Sequence, residues 1–175
     1  MKRLTLAILG ILPGIVPADE MAERFEPLAF LAGHCWQGEF PGGKATDRHC
    51  FEWVWDKAHL RDVHVVTGGK KPYCGETLYS WDAELDRIAF RYFNSLGGVS
   101  EGILLVGPEG IRSPEERYRD ESGEQILRST LVPLDEDHYR TRVEHHKDGE
   151  WQESWVVDFS RMVSGEGLGA GCNPD

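Results

Sequence analysis

The feature that most constrains this chain is how little sequence separates its alternating apolar segments. Ten stretches rich in aromatic and β-branched residues run at 35–40, 47–55, 60–67, 73–81, 87–94, 100–106, 111–119, 125–132, 138–146 and 151–159, each bounded by turn residues as strands are. The connectors are short and built from turn formers, among them Gly42-Gly43, Gly68-Gly69-Lys70, Gly107-Pro108-Glu109-Gly110 and Asp148-Gly149. A parallel crossover needs about a dozen residues or more, so connectors this short demand antiparallel neighbours. The expectation is an all-β fold: an antiparallel up-and-down meander of about ten strands, closed into a β-barrel because closure removes its edges. A short helix or turn over 25–31, ended by Gly33, precedes it. Pro114 interrupts the strand after Ile111, which predicts an edge or a bulge there.

Register arithmetic then assigns faces. A turn at Lys57-Ala58 sets Trp55 opposite Leu60, Trp53 opposite Asp62, Phe51 opposite His64 and His49 opposite Val66. Turns at Gly69-Lys70 and Glu84-Leu85 extend that face to Thr77, Tyr79, Trp81, Ile88, Phe90, Tyr92 and Asn94. The other face carries Arg48, Glu52, Arg61, Glu76, Arg87 and Arg91 and suits solvent, although Val54, Val63 and Val65 share it. The aromatic face is expected inside; a single bulge would reverse part of the assignment.

The first residues place Lys2 and Arg3 ahead of an apolar run from Leu4 to Val16, followed by Val16-Pro17-Ala18 and two acids. This is the pattern of a secretory signal peptide over 1–18. Interrupted by Pro13 and Gly14, the run falls short of the ~20 residues a membrane span requires. The expected organisation is a signal at 1–18, one barrel domain at 19–163 and a glycine-rich tail at 164–175, in a periplasmic or secreted protein. In such a compartment the four cysteines, 35, 50, 74 and 172, form disulfides, with three connectivities open. Cys35 and Cys50 are symmetric about Gly42-Gly43, so a hairpin turn there sets them face to face, which leaves Cys74 for Cys172. The alternative is buried free thiols. A net charge of −11 repels nucleic acid and anionic lipid, so neither is an expected partner.

An aromatic interior containing Asp62, His64 and Asn94 has the composition of a small-molecule pocket, apolar walls with a few orienting polar groups; the alternative is a filled core. The candidate ligand-binding residues are Trp53, Trp55, Asp62, His64, Tyr79, Trp81, Phe90 and Tyr92, joined by Arg142 and Trp155 from the last hairpin. There, a turn at Asp148-Gly149 pairs His146 with Trp151, Glu144 with Glu153, Arg142 with Trp155 and Arg140 with Val157. Arg140 and Arg142 beside Trp155 would hold an anionic head, unless they point outward to the abundant carboxylates and leave Tyr139, Thr141, Val143 and Val156 as the inward stripe. Glu144 and Glu153 form a carboxylate pair of glycosidase type that is also ordinary on an acidic surface. No metal motif occurs, neither H-x-x-x-H nor H-E-x-x-H nor a Cys/His cluster, and G-x-S-x-G is absent.

The segment Leu28-Ala29-Phe30-Leu31-Ala32-Gly33-His34-Cys35-Trp36-Gln37-Gly38 leads from a short helix into Leu-x-Gly-x-Trp-x-Gly. It resembles the opening of calycin-type barrels, specifically the nitrobindin-like and lipocalin-like bacterial families. Gly75-Glu76-Thr77-Leu78-Tyr79-Ser80-Trp81-Asp82 and Tyr92-Phe93-Asn94-Ser95 followed by Gly102 fit the same pattern. The resemblance implies a ten-stranded barrel around a cavity, with relatives that carry fatty acids, retinoids or haem. It also implies an alternative in which His145 or His146 is an axial haem ligand; the exported, cystine-bearing character departs from cytosolic haem barrels. The primary expectation is a barrel that binds a small apolar or amphipathic ligand without catalysis and with no cofactor. The alternatives are a haem-binding or isomerase-type protein, and an interaction module whose barrel is filled.

Overall fold

The structure, a computed structural model, describes residues 23–163 together with Leu168. Its strands are β1 (Cys35–Glu39), β2 (Thr46–Val54), β3 (His59–Thr67), β4 (Tyr73–Asp82), β5 (Arg87–Asn94), β6 (Val99–Ile103), β7 (Leu105–Gly107), β8 (Gly110–Asp120), β9 (Gly123–Pro133), β10 (His138–Lys147) and β11 (Glu150–Arg161). All pairings between them are antiparallel, consecutive strands other than β6 and β7 are neighbours, and β1 pairs with β11. Both β6 and β7 pair with β8, so they behave as one strand broken at Leu104, and the β6 pairing closes a ten-stranded barrel. The ten segments expected from alternation therefore coincide with the ten staves of the barrel to within about two residues. Pro114 lies inside β8 where its register to β9 shifts between Ser113 and Glu116. The strand is bulged and interior to the sheet, since a closed barrel has no edge for it to occupy.

Among the described residues the only helix of three residues or more is a single 3-10 turn, Glu26–Leu28, shorter than the expected segment. It closes one end of the barrel: Phe25, Leu28 and Leu31 are buried against Trp36, Phe51, Leu60, Ile88, Ile111, Tyr139 and Phe159. Burying one such side chain is worth about 1.5–3 kcal/mol, so this plug contributes substantially to closure. Gly33, at φ 80°, redirects the chain into β1, and its N–H donates to Phe51 O at 2.8 Å. Among the described residues no helix is long and apolar enough to cross a membrane. The expected export signal at 1–18 and the tail at 164–175, Leu168 excepted, lie outside the described residues.

Three registers follow the expected arithmetic. In the first hairpin Cys35 faces Cys50 and Trp36 faces His49; the two cysteines form a disulfide. Cys172, the expected partner of Cys74, lies outside the described residues. Asp62 faces Thr77 across β3–β4, and Tyr79 faces Phe90 across β4–β5. The outer face carries an ion-pair cluster in which Arg61 joins Glu76 and Glu52.

Two registers differ. Between β2 and β3, His49 faces His64, Phe51 faces Asp62 and Trp53 faces Leu60, a shift of two residues from expectation. The cause is the turn: Trp55, Asp56 and Lys57 all adopt left-handed conformations, φ 50°, 56° and 63°, and the last ladder pair is Val54 with His59. A shift by two preserves each residue's face, so the aromatic side still points inward. Trp55, however, sits in the turn and is 71% exposed; it is not a wall residue. In the last hairpin the register slips between Val143 and Glu144, so Val143 rather than Arg142 faces Trp155, and Thr141 rather than Arg140 faces Val157. That bulge turns Tyr139, Thr141 and Val143 inward and both arginines outward.

Candidate functional site

The barrel interior is not filled. A cavity of about 490 Å³ opens at the end opposite the helical plug, lined among others by Phe40, Val66, Tyr79, Phe90, Tyr92, Leu104, Tyr118, Leu127, Val143 and Trp155. A smaller space of about 130 Å³ lies deeper, walled by Leu28, Phe51, Ile111, Tyr139 and Phe159. His49, Asp62, Tyr79, Leu104, Ser129, Thr141 and Trp155 line both. Strand alternation produces this lumen: every second residue of β2 to β5 and of β9 to β11 points in. Trp155 holds its place by an edge-to-face contact with Phe40, centroids 5.4 Å apart.

A continuous polar network crosses the apolar wall. His49 Nε2 lies 3.0 Å from Asp47 Oδ2, and its Nδ1 lies 2.9 Å from Asp62 Oδ2. Both ring nitrogens thus face carboxylate oxygens, an arrangement that needs a proton on each, so His49 is an imidazolium clamped between two acids. Burial opposes its charge, but Asp62 and Asp47 overcome that penalty and raise its pKa to about 10. For Asp47, burial pushes upward, yet the charge of His49 and hydrogen bonds from both histidines hold it well below the usual carboxylate range. His64 stacks on His49, ring centroids 4.7 Å apart, and directs Nδ1–H at Asp47 Oδ1, 3.0 Å away. That leaves His64 Nε2 to accept from Tyr92 OH at 3.1 Å, and Tyr73 OH lies 2.5 Å from Tyr92 OH. Toward the opening, Asn94 Nδ2 donates to Tyr118 OH at 3.2 Å. Burial raises the pKa of Tyr79 and Tyr92, so both stay phenols.

The third acid of the lumen is Glu116, brought inward by the β8 bulge. Ser100 Oγ donates to its Oε1 at 2.5 Å; burial raises its pKa against that hydrogen bond. Among the described residues no Lys or Arg lines the cavity. Asp47, His49 and His64 each place one potential metal-ligand atom within 4.8 Å of the others, a donor set of the type that holds divalent cations. Both nitrogens of His49 already face carboxylates, so a cation there would have to displace a proton.

Of the expected ligand-binding residues, Asp62, His64, Tyr79, Phe90, Tyr92 and Trp155 line the cavity. Trp53 and Trp81 point inward but lie at the plugged end, where Phe25 packs edge-on to Trp53 and Arg24 stacks over Trp81. Arg142 pairs with Glu153 at 2.7 Å on the exposed surface, and Arg140 with Asp158, so neither reaches a ligand in the lumen. Glu144 faces Glu153 across the last hairpin as expected, but Arg128 engages Glu144 and Arg142 engages Glu153 on the outer face. His146 is exposed against Trp151, and His145 bonds Ser154 Oγ at 2.9 Å; neither lines the cavity, so neither is placed to bind a haem inside it.

No protein-family model matches the chain, and no curated protein matches it. The chemistry of the site is therefore carried by its own residues. Those that sequence reasoning missed are Asp47, His49 and Glu116. The first two had a signal: Asp47-Arg48-His49 and Asp62-Val63-His64 are two D-x-H units on adjacent strands, and antiparallel pairing of His49 with His64 interleaves their acids. Glu116 had none, because Pro114 and the bulge decide which way it faces.

Proposed function

We propose that this protein is an exported β-barrel that binds a small apolar or amphipathic molecule in its interior, without catalysis. The observation that carries the reading is the open-ended lumen, about 490 Å³, within the roughly 300–1,000 Å³ typical of small-molecule sites. Aromatic and aliphatic groups make up much of its wall, and its acids and histidines are held by hydrogen bonds to neighbouring side chains, an arrangement that supports orienting a ligand. Export is supported by the Cys35–Cys50 disulfide, since such bonds persist in oxidising compartments, and by the signal-like start of the chain. The short motif shared with nitrobindin-like and lipocalin-like barrels supports the same reading.

The test is a fluorescence titration with neutral N-phenyl-1-naphthylamine, against wild type and Thr141→Trp, which fills the lumen from β10. The expected result is a saturable one-to-one enhancement in wild type that is lost in Thr141→Trp while circular dichroism and thermal melting persist. Equal enhancement in both proteins would place the probe outside the lumen and overturn the reading.

A further inference from the structure

We propose that the lumen selects a small organic cation, a protonated amine on an apolar or aromatic body, with Glu116 as its counter-ion. This inference rests on the reading of the barrel as a binding protein and names the charge of what it binds.

The charge inventory of the cavity carries the argument. Among the described residues three carboxyl groups line it, Asp47, Asp62 and Glu116, and no lysine or arginine does. Asp47 and Asp62 share the single positive charge of His49, which leaves that group with a deficit of one cation. Glu116 has less support. Among the described residues its only hydrogen bond comes from the neutral Ser100 hydroxyl, and the nearby Arg117 and Arg119 are committed outside, to Glu115, Glu124 and Glu101. A carboxylate held in an apolar wall without a cation is costly. An ammonium entering beside Glu116 would remove that cost and gain a charge-assisted hydrogen bond.

The walls suit the same guest. Tyr79, Phe90, Tyr118 and Trp155 line the space that Glu116 borders, and aromatic rings attract cations, most strongly when desolvated. An anionic head, such as the carboxylate of a fatty acid, meets the opposite conditions: no cation to pair with and three acids around it. The outward turn of Arg140 and Arg142 removes the only arginines that sequence reasoning had offered to an anion.

The experiment uses three ligands of one shape, 2-naphthylmethylamine, 2-naphthylmethanol and 2-naphthoate, titrated calorimetrically at pH 7 into the full chain. The amine is expected to bind at least ~10-fold more tightly than the alcohol, and the carboxylate most weakly. In Glu116→Gln, which keeps an oxygen for Ser100, the ratio of amine to alcohol affinity should fall to about one, with circular dichroism and thermal melting as the control for folding. Wild-type affinities equal for amine and alcohol would overturn the cation inference and leave the binding reading standing. A preference that survives Glu116→Gln would overturn the role of Glu116. Binding of none of the three, with N-phenyl-1-naphthylamine also failing, would remove both.

Discussion

Replacing Asp62 with asparagine probes the buried charge cluster from one side and gives a signed, pH-dependent answer. His49 carries both ring protons between Asp47 and Asp62, and despite burial its pKa stands at about 10 against 6.5 for a free histidine. Each unit of difference between folded and unfolded pKa is worth about 1.4 kcal/mol, so the rise from 6.5 to about 10 corresponds to roughly 5 kcal/mol of stability. The folded value is the higher one. The contribution is therefore complete below pH 6.5 and is lost as pH climbs through about 10. Asp47 sets the acid side: its folded pKa is held below 3.8, so its share is present above that pH and is lost as pH falls. The cluster stabilises most between pH 3.8 and 6.5. Asp62→Asn keeps the shape and a hydrogen-bond acceptor but removes one of the two charges facing His49. Breaking a buried ion pair from one side costs about 3–5 kcal/mol, and a loss on the order of 3 kcal/mol is expected at pH 6. By pH 10.5 wild-type His49 has itself largely lost its proton, and the difference should fall to about half or less. Guanidinium unfolding of both proteins at the two pH values measures this, with the His49 Cε1–H resonance followed by NMR. A difference in stability that does not change with pH, or a wild-type His49 that titrates near 6.5, would refute the clamped imidazolium.

Further expectations follow from single residues. Replacing Cys35 and Cys50 together with serine opens a disulfide spanning 15 residues, and the loss of loop constraint should cost about 3 kcal/mol in denaturant unfolding while the barrel spectrum by circular dichroism persists. Gly75→Ala sets a Cβ against His64 Nε2 and the Tyr92 ring; it should cost about 1–3 kcal/mol as an overpacked site and weaken probe binding, read by melting and by the naphthylamine titration. Arg142→Ala removes an exposed pair with Glu153 and should shift stability by no more than about 1 kcal/mol with ligand affinity unchanged. A large loss of affinity in that variant would contradict its outward placement.

Much of the barrel was legible because its signals are local. Alternation marked the staves, and turns centred on Gly42-Gly43, Glu84-Leu85 and Asp148-Gly149 fixed strand register in β1–β2, β4–β5 and the tip of β10–β11. The rest depended on backbone events that no residue type announces. Nothing about Trp55, Asp56 or Lys57 advertises three successive left-handed conformations, yet they move His49 opposite His64 and so create the cluster. The slip between Val143 and Glu144 exchanged an inward Arg142 for an inward Val143, and with it an anion site for an apolar wall. Glu116 entered the lumen for a similar reason, through the shift at Pro114. The walls, Asp62 and His64 could be read from side-chain chemistry; the inward turn of Glu116 and the outward turn of Arg142 could not, because they depended on two bulges.

The most direct test of the central claim is native mass spectrometry of the protein isolated from its own source, before and after denaturation. A lumen of about 490 Å³ predicts a species heavier than the chain by a few hundred daltons, the scale of one small-molecule ligand, released on unfolding and absent from Thr141→Trp. A native mass equal to that of the bare chain, in a preparation that also fails to take up any of the naphthalene ligands, would contradict it.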